Sequence, residues 1–117
     1  MKKIFSICLL LALLTNHSNS FANRKEGPGI IDGTLGPYED KVYSINLVGD
    51  SKTYFIGSGD GGQIDYWLYD PNGKLVAYDL KLRSNCDITY YARIPGTYYL
   101  LVKNYSKEKA SYEVRTN

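Results

Sequence analysis

Few side chains in this 117-residue sequence are able to do chemistry. One histidine, His17, and two cysteines, Cys8 and Cys86, supply all of its imidazole and thiol. His17 and Cys8 fall in an N-terminal stretch read below as an export signal, so the processed chain keeps Cys86 alone. Without histidine there is no Ser-His-Asp triad, no Cys-His pair and no His-ligated zinc or iron site. Carboxylates remain. Asp60-Gly61-Gly62 followed by Asp65 places acidic oxygens around a glycine loop whose carbonyls are open, and Ca²⁺ takes six to eight oxygen ligands of this kind. Asp40, beside Glu39, is a further candidate ligand. The spacing fits no EF-hand, and the alternative is a set of solvated loop aspartates. No carboxylate pair, Ser–Lys or Tyr–Lys arrangement stands in a catalytic motif, so the expectation is a protein that is not an enzyme.

The other unusual side chains are aromatic. All twelve tyrosines and the single tryptophan lie beyond residue 22. In 64–70, Ile64, Tyr66 and Leu68 alternate with Asp65, Trp67 and Tyr69. In 97–103, Tyr98, Leu100 and Val102 alternate with Tyr99 and Leu101. Period-two alternation sends the two sets to opposite faces of a strand. If one set lines a core, then Trp67, Tyr69, Tyr99 and Leu101, with Tyr105 just beyond, form an outward aromatic row. Tyr and Trp give large, rigid contact area at low entropy cost and dominate binding hot spots. The row suits a protein ligand or the stacking of sugar rings. The competing reading is that neighbouring strands and loops cover it.

These residues need a scaffold. Residues 1–22 read as a signal peptide: Lys2 and Lys3, an apolar run of eleven residues over 4–14, and Ser20-Phe21-Ala22 as cleavage site. Such a run rises about 17 Å as a helix, short of a bilayer core of roughly 30 Å, so no stable membrane anchor is expected. Its removal takes the 14 Lys and Arg to 12, against 12 Asp and Glu. A neutral chain offers no positive field for nucleic acid. The protein is expected outside the cytoplasm, periplasmic or secreted.

Residues 23–29, with Gly27-Pro28-Gly29, read as a flexible arm. Residues 30–117 then read as seven or eight short strands separated by turn residues: 30–35, 42–48, 53–56, 64–70, 75–79, 86–92, 97–103 and 111–115. Tyr43, Ile45 and Leu47 share one face of the second. Gly57-Ser58-Gly59-Asp60-Gly61-Gly62 reads as a loop that stops the third. Asp70-Pro71-Asn72-Gly73 is a tight turn in which Pro presets φ and Gly accepts positive φ, turning 75–79 back as a hairpin. Cys86 alternates with Ile88 and Tyr90 on the inward set, which makes it a buried thiol; an exposed one would invite pairing between molecules. The fold class is all-β, an antiparallel two-sheet sandwich of Greek-key or jelly-roll type.

Three blocks resemble the bacterial pre-peptidase C-terminal domain family, which includes the collagen-binding domains of clostridial collagenases. Gly33-Thr34-Leu35 with Asp40 and Tyr43 is similar to the family's opening. Ile64 to Asp70 with Gly73 is similar to its central strand and turn. Pro95-Gly96-Thr97-Tyr98-Tyr99-Leu100, with Val102 and Tyr112, is similar to its closing signature. Lys103 stands where the collagen-binding branch implies another aromatic. The resemblance implies a β-sandwich over 30–117; the aromatic row without catalytic groups makes the expected role a stand-alone exported binding module for a protein or polysaccharide. A second possibility is an inhibitor or chaperone-like partner of a separately encoded secreted protease. A third is a calcium-stabilised structural envelope protein.

Overall fold

The computed structural model describes residues 25–26, 29–80 and 85–117. The expected signal peptide and most of the expected arm lie outside the described residues. The described chain is all strand and turn: β1 (Lys25–Glu26), β2 (Gly29–Leu35), β3 (Asp40–Leu47), β4 (Ser51–Asp60), β5 (Ile64–Tyr69), β6 (Leu75–Asp79), β7 (Cys86–Ala92), β8 (Gly96–Asn104) and β9 (Ala110–Thr116). They form a five-stranded sheet, β1-β3-β8-β5-β6, and a four-stranded sheet, β2-β9-β4-β7. All pairings are antiparallel except that of β1, whose Lys25 and Glu26 run parallel to Ile45 and Asn46.

Of the consecutive described strands only β5 and β6 pair with each other, as the Asp70-Pro71-Asn72-Gly73 turn requires. Asp70 Oδ1 accepts from the backbone N–H of Asn72 and Lys74, both at 2.9 Å, and Gly73 takes a φ of +81°. From β1 to β5, and again from β6 to β9, successive strands alternate between the two sheets. Core packing therefore depends on residues distant in sequence.

Alternation holds along β3, β5 and β8 and breaks in β6, where the pairing with β5 shifts register at Leu68/Tyr69 and Val76 and Ala77 both pack on the core. Tyr43, Ile45 and Leu47 of β3, Ile64, Tyr66 and Leu68 of β5, and Tyr98, Leu100 and Val102 of β8 are buried from one layer. Ile31, Leu35, Phe55, Cys86, Ile88, Ala92, Ala110, Tyr112 and Val114 meet them from the other. Cys86 is buried as expected, its thiol directed at the carbonyl of Phe55 at 3.5 Å. The Tyr43 and Tyr112 hydroxyls share a hydrogen bond in the core, with the rings edge-on at 6.3 Å. Burial, first of all, pushes both phenols up.

The glycine-rich segment after residue 56 corrects the sequence reading. It does not end the strand: β4 continues to Asp60, pairing β7 over 51–57 and β9 over 55–60. Glycine here serves close backbone approach rather than termination. A Cβ on Gly57 would sit 2.3 Å from the carbonyl oxygen of Glu113 and 2.9 Å from Val114 Cα. At the open side of the sandwich Asp79 closes the gap between the sheets. Its Oδ2 accepts from the N–H of Asp87 at 2.8 Å, joining the end of β6 to the start of β7.

Candidate binding surface

The outward side of the five-stranded sheet carries the row expected from sequence. Register places Val42, Leu101, Trp67 and Tyr78 in one line across β3, β8, β5 and β6, and Ser44, Tyr99 and Tyr69 in the next. Trp67, Tyr69, Tyr99 and Leu101 thus share a side, as parity requires. They are not equally open. Val42, Tyr69 and Leu101, at 0 %, 5 % and 6 % exposure, form a second, small apolar cluster against which Trp67 and Tyr99 pack half-buried. Tyr69 and Leu101 are therefore not contact surface, a correction with a simple cause: large rings on adjacent strands cover one another as well as facing out. Burial also raises the Tyr69 phenol, with the Tyr105 charge adding to it.

Tyr105, 42 % exposed, extends the row into the β8–β9 loop. Its ring meets Trp67 edge-on at 6.1 Å, and Lys103 Nζ stands 4.8 Å from its centroid. Offset and edge-on aromatic contacts and a cation over a ring both hold rings in fixed orientation. Trp67, Tyr99, Tyr105 and Lys103, with exposed Tyr78 beyond, are the accessible part of the face.

The three acidic candidates do not converge. Asp40 and Asp65 flank Lys103 on either side in the five-stranded sheet, while Asp60 ends β4 opposite Ser111 in the other sheet. Among the described residues no group of three His, Cys, Asp or Glu side chains is placed to hold a metal ion. Asp65 is buried, and that desolvation raises its carboxyl, opposed by a hydrogen bond donated by Gln63 Nε2 at 3.3 Å.

One end of the sandwich is more organised than the sequence reading foresaw. Three loops meet there: 36–39 between β2 and β3, 61–63 between β4 and β5, and 105–109 between β8 and β9. Asn104, fully buried, ties two of them. Its Nδ2 donates to the carbonyls of Glu108 at 2.7 Å, Gly36 at 3.0 Å and Leu35 at 3.3 Å. Two hydrogens serve three acceptors, so the longest contact is the shared one. Its Oδ1 accepts from Ser106 N–H at 3.0 Å and Ser106 Oγ at 2.7 Å. Its own N–H donates to Glu39, and the next N–H, of Tyr105, donates to Gln63 in the third loop. The signal for Asn104 was present in sequence: it continues the inward set 98, 100, 102, and a polar group at a core-facing position must find partners.

Tyr38 sits on this end. The Glu39 N–H donates to Gly36 O at 3.2 Å, closing a turn with Pro37 second and Tyr38 third. Tyr38 has φ of +59° and is 55 % exposed. This is the pattern of a type II turn, whose third position belongs to Gly or Asn; left-handed backbone costs another L-residue about 1–2 kcal/mol. Among the described residues Tyr38 belongs to neither apolar cluster. From sequence, residues 36–39 stand only as part of the break between the strands at 30–35 and 42–48.

No family model matches the sequence, and no curated protein matches it. Solved structures do. The pre-peptidase C-terminal domain of collagenase from Bacillus anthracis is similar with a TM-score of 0.68 and 23% identity, covering 81% of this chain and 93% of that one. PliG from Aeromonas hydrophila, a periplasmic lysozyme inhibitor of g-type lysozyme, is similar with a TM-score of 0.52 and 9% identity over 80% of this chain and 97% of that one. The PliG of Salmonella Typhimurium gives 0.51 and 16% over 81% and 97%. At these identities the likeness is one of fold: the described chain is a β-sandwich like the pre-peptidase C-terminal domain.

Proposed function

We propose that this chain is an exported, non-enzymatic binding module that captures a protein or polysaccharide outside the cytoplasm. The observation that carries the reading is the Trp67–Tyr105 edge contact capped by Lys103, held on an outward sheet face that continues into a tied loop end. Rings oriented before contact lose little freedom on binding, which is where aromatic surfaces gain affinity. The test is capture by the immobilised protein of three defined probes: g-type lysozyme, purified peptidoglycan and fibrillar collagen. Retention of at least one, reduced tenfold or more in Trp67→Ala with Tyr105→Ala while the double variant stays folded, is expected. Retention of none, or a double variant that unfolds, refutes it.

A second reading is favoured by the Tyr38 turn: an inhibitor of an enzyme that works outside the cytoplasm. A loop end tied by hydrogen bonds presents an exposed ring in a fixed position, and binding residues are commonly carried on loops held by a rigid scaffold. Structures of the same fold include inhibitors of g-type lysozyme, which makes that enzyme the first to try.

A further inference from the structure

We infer that the outward side of the four-stranded sheet joins a second copy of this chain in a two-fold dimer whose axis runs along β4. Register sets Ile30, Arg115, Ile56 and Asp87 in one line across β2, β9, β4 and β7, and all four are exposed. Tyr54, also exposed, stands beside Ile56 two residues back on β4. Ile56 is 55 % exposed although β4 is an inner strand, with a neighbour on each side. Facing water, it gains little of what burial of an isoleucine is worth. Ile56, Tyr54 and Ile30 together give this face an apolar centre, where the solvated side of an antiparallel sheet is ordinarily polar.

The occupant follows from the charges. Asp87 lies one strand to one side of Ile56, and Arg115 one strand to the other. A two-fold interface is self-complementary: where one residue meets a second, the second meets the first. Rotation about an axis through Ile56 along β4 carries the β9 line over the β7 line. Ile56 and Tyr54 then each meet their own copies, and Arg115 of each chain meets Asp87 of the other, twice in the dimer. An axis across the strands would set every strand over its own copy, with Asp87 against Asp87. Arg115 has N–H donors left for this contact, because its pair with Glu113 in the same chain is 3.8 Å long and both side chains are exposed. Lys52, at the far end of β4, falls on the axis in flat sheets; packed sheets cross at about 30°, which moves the two Lys52 backbones about 7 Å apart at a solvated rim.

A four-stranded face is small against the roughly 800 Å² per partner of a standard interface, which sets the dimer at micromolar affinity. Both five-stranded sheets stay outward. The Trp67–Tyr105 faces of the two copies then look away from each other, and one assembly holds two sites along a polymer or two partners at once. Dimerisation does not depend on what those faces capture.

Analytical ultracentrifugation of the purified protein measures the assembly. Wild type is expected to dimerise with a Kd in the micromolar range. Asp87→Arg sets like charge against Arg115, and Arg115→Asp sets like charge against Asp87, at two places per dimer. Each is expected to weaken association tenfold or more. Asp87→Arg with Arg115→Asp in one chain is expected to dimerise like wild type, and an equimolar mixture of the two single variants to form mixed dimers. Ile56→Lys, which puts two charges on the axis, is expected to weaken association as much as either reversal; Trp67→Ala, on the other sheet, is expected to leave it unchanged. Circular dichroism checks that each variant is folded, and if one reversal does not fold, the other reversal and Ile56→Lys decide the case. A wild type that stays monomeric at millimolar concentration overturns the inference. So does a dimer indifferent to the charge reversals or to Ile56→Lys, a folded double variant that stays monomeric, or a dimer that Trp67→Ala takes apart.

Discussion

Asn104→Ala is the most informative single perturbation, because one buried amide holds the loop end on which both aromatic features depend. Each net intramolecular hydrogen bond is worth about 1 kcal/mol. The bonds to Gly36 and Glu108, and those from Ser106 N and Oγ, lie at 2.7–3.0 Å. Together they amount to about 4 kcal/mol, from which release of the ordered side chain returns about 1 kcal/mol. The expected loss is about 3 kcal/mol. For a domain of this size that is a fall in thermal midpoint of about 12–24 °C. Urea unfolding should show the midpoint shift at constant slope, and amide exchange should quicken first at Glu39 and Ser106. Asn104→Asp keeps the shape but points a carboxylate at the Leu35, Gly36 and Glu108 carbonyls. Its folded pKa must rise, so that variant is most stable below the unfolded aspartate value of about 3.9 and weakens as pH climbs through the folded one. A loss below about 1 kcal/mol in Asn104→Ala would refute the reasoning and show that the loops hold themselves.

Two further outcomes follow from the packing. Gly57→Ala should cost about 3 kcal/mol or more, since its Cβ meets β9 backbone that cannot swing aside; urea unfolding or loss of soluble yield reads this, and a change under about 0.5 kcal/mol would show that β4 and β9 separate freely. Alkali should unfold the protein steeply. Burial raises Tyr43, Tyr66 and Tyr112 and, with the nearby Tyr90, pushes Tyr98 to about 12. The neutral phenols therefore favour the fold: this stability is complete below the unfolded tyrosine value of about 10 and is lost above it, at up to about 1.4 kcal/mol per pH unit for each ring. Phenolate absorbance followed alongside circular dichroism checks this; ionisation of these rings while the fold stays intact would contradict it.

Parity was legible in the sequence and decided most of the fold. Side chains that alternate along a strand must go to opposite faces, so Ile64, Tyr66, Leu68, Tyr98 and Val102 pointed inward and Trp67 and Tyr99 outward before any partner strand was known. The Asp70–Gly73 turn was legible for the same reason: it is local, and its bonds span four residues. The glycines after residue 56 were misread because glycine has two uses, ending a strand or letting another backbone close in, and only the position of β9 distinguishes them.

What tertiary structure alone decided is everything that depends on which strands become neighbours. Because the chain crosses between sheets at nearly every connection, residues far apart in sequence set each other's exposure. That is why Tyr69 and Leu101 lie under their neighbours while Trp67 stays half-exposed, and why Asp60 stands apart from Asp40 and Asp65. It is also why Asn104, at the end of β8, comes to anchor the 36–39 turn nearly seventy residues earlier. Local composition sets what a side chain is able to contact, and the long-range pairing of β-strands sets what it does contact.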